Sequence, residues 1–341
     1  MKEFNINSLV RKNILELQPY ISFRDQNEFE NPVFMDANES PFGEYNRYPD
    51  STQKELKNKL AALKNVSAQQ IAVGNGSDEL IDLIIKIFCE PKKDSIMVMN
   101  PSFAMYKFYA SINENKVVTL DLDKNFQINK DLFLTVSEQE KPKIFFLCSP
   151  NNPTGNSIQD LEFFIENFNG IVVVDEAYIE FSEQKSCIEL LEKYPNLITL
   201  QTFSKAWGMA GARVGVAYSS DSIIQLINTV KAPYNVNSLS LNIIMQLINY
   251  KIIIEENIKN TLSEISRLKN ELLNVECVKR VFPTDANFFL IEFTNAEKVY
   301  QELLKNEILT SKRSPQIPDC IRINVGKKEE NNKLINVLKG I

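Results

Sequence analysis

Short apolar runs alternate with amphipathic stretches from about residue 71 onward. The runs at 96–99, 116–120, 143–148, 171–174 and 197–201 read as strands. Apolar positions at helical spacing over 79–88, 102–110 and 158–168 separate several of them. A run such as Ile171-Val172-Val173-Val174 has no polar face, so it belongs in a parallel sheet covered on both sides. The pattern predicts a large, doubly wound, mainly parallel α/β domain. After Lys231-Ala232-Pro233 the character changes. Residues 237–273 keep helical spacing without a proline and predict one long helix. A strand (288–293), a helix, a strand (320–325) and a final helix follow, which makes a smaller α+β domain. Residues 1–31 are polar and irregular, with a turn at Pro19-Tyr20. The expected division is an arm over 1–31, a large domain over 32–232 and a small domain over 233–341.

Composition narrows the possible chemistry. With 44% hydrophobic residues in 341, the chain can bury large cores. A net charge of −6 argues against a nucleic-acid partner and gives no reason to expect an anionic membrane surface. No apolar run approaches the roughly 18 residues that a membrane helix needs. The first residues show no apolar signal segment, so the expected location is the cytoplasm. Five scattered cysteines, without metal-ligand spacing, read as reduced thiols there. The chain has no histidine, which excludes histidine triads, histidine metal sites and histidine general bases; no metal is expected. Only ten glycines are present, and eight of them fall in the segments that follow. So sparing a use places glycine where backbone geometry demands it.

Three glycines and the only tryptophan crowd 202–215, around Lys205 and Arg213 and beside the hydroxyls of Thr202 and Ser204. Asp175 ends the strand 171–174, in Asp175-Glu176-Ala177-Tyr178. Ser149-Pro150-Asn151-Asn152-Pro153-Thr154-Gly155 is a turn fixed by two prolines and a glycine, just after the strand 143–148. Gly74-Asn75-Gly76-Ser77-Asp78 precedes a helix, where free backbone N–H groups and the helix dipole favour a phosphate. Most of these positions lie at the carboxyl ends of expected strands, where open α/β sheets bind ligands.

The segment 202–215 resembles the cofactor-lysine motif of fold type I aminotransferases, which use pyridoxal 5'-phosphate. That resemblance implies a Schiff base on Lys205, with Asp175 paired to the pyridine nitrogen and Tyr178 and Asn152 donating to the phenolic oxygen. It also implies a phosphate cradle from the amides of Ser77 and Asp78 with Thr202, Ser204 and Arg213. The Asp78 side chain would point away, because two anions repel. Phe103, in Asn100-Pro101-Ser102-Phe103, matches the aromatic that stacks on the cofactor ring.

Further segments narrow the family. Leu17-Gln18-Pro19-Tyr20 with Arg24, the stretch 35–43 with Asn38, Arg47-Tyr48-Pro49-Asp50 and the stretch 320–326 resemble histidinol-phosphate aminotransferases. The likeness runs essentially end to end. It implies transfer of an amino group between L-histidinol phosphate and 2-oxoglutarate, giving glutamate, in a homodimer with shared active sites. Arg322 would grip a substrate anion, Tyr20 and Asn38 would line the substrate side, and Tyr48 would reach the partner's cofactor phosphate. There is one departure. The family usually carries an arginine in a V-R-D segment before the later arginine, whereas this chain reads Leu309-Thr310-Ser311-Lys312-Arg313-Ser314. Arg313 is the substitute the sequence offers. Threonine-phosphate decarboxylases and aromatic-amino-acid aminotransferases resemble this family closely and stand as the alternatives.

Overall fold

In the computed structural model, which describes residues 5–24, 26–27, 29 and 31–341, two sheets organise the chain. Residues 1–4, 25, 28 and 30 of the expected arm lie outside the described residues. The larger sheet has seven strands: β1 Ile71–Asn75, β2 Ser95–Asn100, β3 Lys116–Asp121, β4 Ile144–Cys148, β5 Ile171–Asp175, β6 Leu197–Thr202 and β7 Val214–Ser219. Their order is β1-β7-β6-β5-β4-β2-β3. β7 runs antiparallel to both of its neighbours, and every other pairing in this sheet is parallel. Every residue of β4, β5 and β6 is buried, as expected of strands covered on both faces. The mainly parallel, doubly wound sheet is therefore the one the sequence predicts.

Two strands of this sheet escape the apolar-run criterion. β1 and β7 each carry a glycine, and Gly74 pairs with Gly215 across the ladder. The reason is a close approach: a Cβ on Gly215 would stand 2.2 Å from the backbone nitrogen of Ser77. Glycine inside a strand marks such a contact. Here it lets the helix Ser77–Phe88 dock its first turn on β7.

The second sheet has four antiparallel strands, β8 Val278–Val281, β9 Phe288–Phe293, β10 Ser311–Lys312 and β11 Cys320–Asn324, in the order β10-β11-β9-β8. Its core of Leu268, Leu272, Phe289, Ile291, Ile321 and Leu334 is separate from the core of the large sheet. The expected single helix over 237–273 is two helices, Ser238–Ile248 and Lys251–Leu272, parted at Asn249 and Tyr250. Neither residue is a strong helix former, and Tyr250 adopts ψ 28° where a helix needs about −42°. The second helix links both cores: Ile254 packs with the large sheet, Leu268 and Leu272 with the small one.

Tyr178, Phe181, Ala286 and Phe288 form a small apolar cluster between the two sheets. All five cysteines are buried and unpaired. Among the described residues no helix is long and apolar enough to cross a membrane, and no acidic or cysteine cluster is arranged to hold a metal ion.

Candidate active site

Cys148, Asp175 and Thr202 end the neighbouring strands β4, β5 and β6 at one edge of the large sheet. They share a cavity of about 230 Å³ with Lys205, Tyr178, Asn152 and Arg322. Parallel strands necessarily bring their carboxyl ends together, so the loops that follow them converge here.

Asp175 is buried at the base of this cavity. One carboxylate oxygen accepts from the Tyr106 hydroxyl at 2.6 Å, the other from the Ala177 N–H at 3.1 Å. Burial raises its pKa above the ordinary carboxylate range, and the bond from Tyr106 is the largest effect opposing that rise. Lys205 lies in the loop after β6, where Gly208 N–H bonds the Lys205 carbonyl at 3.0 Å and Gly208 adopts φ +68°. Its ammonium stands 5.7 Å from the centre of the Tyr178 ring. Burial, and then the charge of Arg322, lower the Lys205 pKa, which favours the neutral amine that a nucleophile needs. Burial raises the Tyr178 pKa, so its hydroxyl keeps the proton it would donate.

An anion pocket adjoins. Gly76 caps the helix Ser77–Phe88 at φ +79°, and no side chain caps that end. A Cβ at Gly76 would lie 2.5 Å from the Arg213 guanidinium. Glycine there lets the cation approach the helix start, where N–H groups point outward. Thr202 and Ser204 are hydrogen-bonded to each other at 3.0 Å on the same wall. One expectation fails here: the Asp78 carboxylate does not point away but accepts from Arg213 at 3.1 Å. A half-exposed guanidinium attracts the nearest carboxylate, and the first turn of this helix carries one.

The small sheet supplies the opposite wall. Arg322 on β11 donates to the Asn152 side-chain oxygen at 2.5 Å and lies 5.3 Å over the Phe288 ring. Arg313 bonds Ser311 Oγ at 3.1 Å and Gln316 Oε1 at 2.9 Å. The Nε atoms of both arginines are buried without a hydrogen-bond partner, and neither arginine is in an ion pair among the described residues. Burial and the neighbouring Arg322 lower the Arg313 pKa. Arg322 lines the cavity without an anionic partner among the described residues and offers a site for an anionic ligand, whereas Arg313 does not line it.

Phe103 lines the cavity and meets Tyr106 edge-on. Tyr20, Asn38 and Tyr48 are not brought to the cavity. Tyr48 is exposed and stacks on Tyr234 with ring centres 4.6 Å apart. Around it, Glu39 is clamped by Arg24 and Arg47, each at 2.8 Å, and the bond from Arg24 is the main cause of its pKa falling to about 2. Those motif residues therefore hold the N-terminal segment together. Tyr106, Cys148 and Ala177 belong to the site and were not singled out from the sequence. For Tyr106 a signal existed, because it follows Phe103 by three residues at the start of a helix.

Comparisons with known proteins show what the chain is similar to. The family model for aminotransferase class I and II matches residues 23–338. The chain is 48% identical to the histidinol-phosphate aminotransferase of Christiangramia forsetii, over 99% of each chain. Its fold is similar to the crystal structure of the histidinol-phosphate aminotransferase from Clostridium acetobutylicum, with TM-score 0.79 and 26% identity over 87% of this chain and 90% of that one. A Sinorhizobium meliloti histidinol-phosphate aminotransferase solved with pyridoxal-5'-phosphate shares the fold at TM-score 0.80 and 22% identity, over 89% of both chains.

Proposed function

Because this chain belongs to the class I and II aminotransferases, in their histidinol-phosphate branch, we propose that it moves an amino group between L-histidinol phosphate and 2-oxoglutarate. The observation that carries the reading is the meeting of Lys205 and Asp175 in one cavity, between the helix start at Ser77 and Arg322. The residues present fit pyridoxal phosphate. The Ser77 and Asp78 amides, with Arg213, suit a dianionic phosphate once the Arg213–Asp78 bond yields. Asp175 suits a protonated ring nitrogen, and Asn152 and Tyr178 suit the phenolic oxygen. Phe103 suits the ring face.

When bound, pyridoxal phosphate supplies an electron sink for the substrate's Cα electrons. The chain's own residues do the rest. The Lys205 amine would hold the cofactor and, when free, would take the proton from substrate Cα and later return one. Asp175 keeps the ring nitrogen protonated by pairing with its charge. Arg322 grips a substrate anion, and Arg313, beside it, takes a second anion in place of the family's V-R-D arginine. Tyr20 and Asn38 do not line the cavity of this chain, so their part on the substrate side rests on the resemblance alone.

We further infer a homodimer that works in the cytoplasm, with Tyr48 serving the partner's cofactor phosphate. Exposed Tyr20, Ile21, Met35, Phe42, Tyr48 and Ile252 support an apolar face that a second copy covers. The test is an assay of purified protein with pyridoxal phosphate, 2-oxoglutarate and one of three amines: L-histidinol phosphate, O-phosphothreonine or an aromatic amino acid. Glutamate should form fastest with L-histidinol phosphate. Carbon dioxide from O-phosphothreonine without glutamate, or preference for an aromatic amino acid, would overturn the reading.

A further inference from the structure

Tyr106 lies on the helix Met105–Ile112 and is fully buried. Its ring lies flat on Phe146 of β4, with centres 4.8 Å apart and planes 12° apart, and it receives Phe103 edge-on at 5.5 Å. Phenylalanine would fill that slot as well. The hydroxyl needs a separate reason, since a buried hydroxyl is unfavourable unless it is hydrogen-bonded. Its bond goes to Asp175 Oδ2 at 2.6 Å, the only side-chain hydrogen bond to that carboxylate among the described residues.

The charges around Asp175 show why this matters. Burial works against the carboxylate anion, and Asp78 on the helix Ser77–Phe88 adds like charge. Lys205, from the loop after β6, favours the anion through space. The Cys148 thiol at the end of β4 is kept neutral by its own burial. The Ala177 N–H contributes one bond from the loop after β5. The Tyr106 hydroxyl is the shortest of the direct donors.

We propose that Tyr106 is a positioning residue for the reaction: its hydroxyl fixes the Asp175 carboxylate and holds it anionic toward the cofactor's ring nitrogen, while its ring backs Phe103. This rests on the function proposed above. A less firmly anionic Asp175 would leave less positive charge on the bound ring. The nitrogen that Lys205 contributes to the cofactor linkage would then keep its proton to higher pH.

The test uses purified holoenzyme reconstituted with pyridoxal phosphate and compares wild type, Tyr106→Phe and Phe146→Leu. In Tyr106→Phe the pH midpoint of the cofactor's visible band should rise by about one unit. Its kcat should fall about tenfold with KM for both substrates nearly unchanged, the loss expected for one hydrogen bond to a charged group. Phe146→Leu disturbs the packing but keeps the hydroxyl, so it should lower the melting temperature and leave the midpoint alone. A fall in kcat with the midpoint unmoved in Tyr106→Phe would reduce Tyr106 to packing and overturn the proposal. An equal midpoint shift in Phe146→Leu would also overturn it. If wild type itself gained no visible band with pyridoxal phosphate, the proposed function would fail and this inference with it.

Discussion

Cys148, Asp175 and Thr202 close three adjacent strands whose residues are all buried, whereas Arg322 comes from the other sheet and Tyr20, Asn38 and Tyr48 come from coil. The base of the cavity is thus fixed by strand register: Cys148 pairs with Asp175 in the ladder, and Asp175 with Leu200. Its rim depends on contacts made across the fold, such as Arg322 with Asn152, 170 residues apart in sequence. The contrast suggests that the base governs the chemical step and the rim governs which substrate arrives. Substitutions in the two regions should therefore fail in different ways, in kcat at the base and in KM at the rim.

The largest effect belongs to the base. Lys205→Ala removes the group proposed to move the proton and should cut turnover by about four orders of magnitude, measured with saturating substrates. Borohydride reduction of the holoenzyme followed by peptide mapping should label Lys205, and a label on another lysine would dissolve the base as drawn.

Asp175→Asn comes next. A neutral amide cannot balance a ring cation, and breaking a buried pair costs roughly 3–5 kcal/mol, so kcat should fall by about two to four powers of ten. Stability should move the other way in the cofactor-free protein. Burial raises the Asp175 pKa, so its contribution to stability is full below the unfolded value of about 4 and is lost as pH rises through the folded one. At neutral pH the ionised carboxylate weighs against folding. Cofactor-free Asp175→Asn should therefore melt higher than wild type at pH 7, and the gap should close on acidification. A lower melting temperature at pH 7 would mean that the carboxylate is a net stabiliser of the fold.

At the rim, Arg322→Ala should weaken both the amino donor and the keto acceptor, since both present an anion. Loss of a charge-assisted contact of about 1.5–3 kcal/mol corresponds to an increase of roughly 10–100-fold in KM. Arg313→Ala should act on the same anions less severely, because Ser311 and Gln316 already share its guanidinium. Unchanged KM for both substrates in Arg322→Ala, with a rise in Arg313→Ala, would exchange their roles.

The same division explains what could be read from the sequence. The base was legible because each residue sits directly after a continuous apolar run or inside a glycine-rich loop, so local pattern and tertiary position coincide. Lys205, Asp175, Asn152, Thr202 and Arg213 do line one cavity. Tyr106 was missed because its function comes from a contact 69 residues away, and a buried aromatic on a helix looks like core. The orientation of Asp78 is not legible in the sequence because its partner, Arg213, lies 135 residues away and meets it only in the fold. β1 and β7 went unseen because their glycines, Gly74 and Gly215, interrupt the apolar pattern at the close contact those strands exist to make.

A complementation test, read as recovery to a fraction of normal activity, decides whether the rim is completed by a second copy. Tyr48 stacks on Tyr234 and is exposed, away from the cavity of its own chain. If it serves the partner's site, each site is built from two chains. Tyr48→Asp sets a negative charge against the cofactor phosphate and should be nearly inactive, because like charges in a confined site repel. Lys205→Ala is inactive for its own reason. When the two variants are co-expressed, a mixed dimer holds one site with Lys205 from the Tyr48 variant and Tyr48 from the Lys205 variant. That site is wild type, and the other carries both lesions. Random pairing makes about half the dimers mixed, so activity should return to about a quarter of normal, given a closed two-fold interface. If Tyr48 acted within its own chain, no pairing would rebuild a complete site. Activity that stays at the level of the separate variants, with mixed dimers verified by tagged pull-down, would return the whole rim to a single chain.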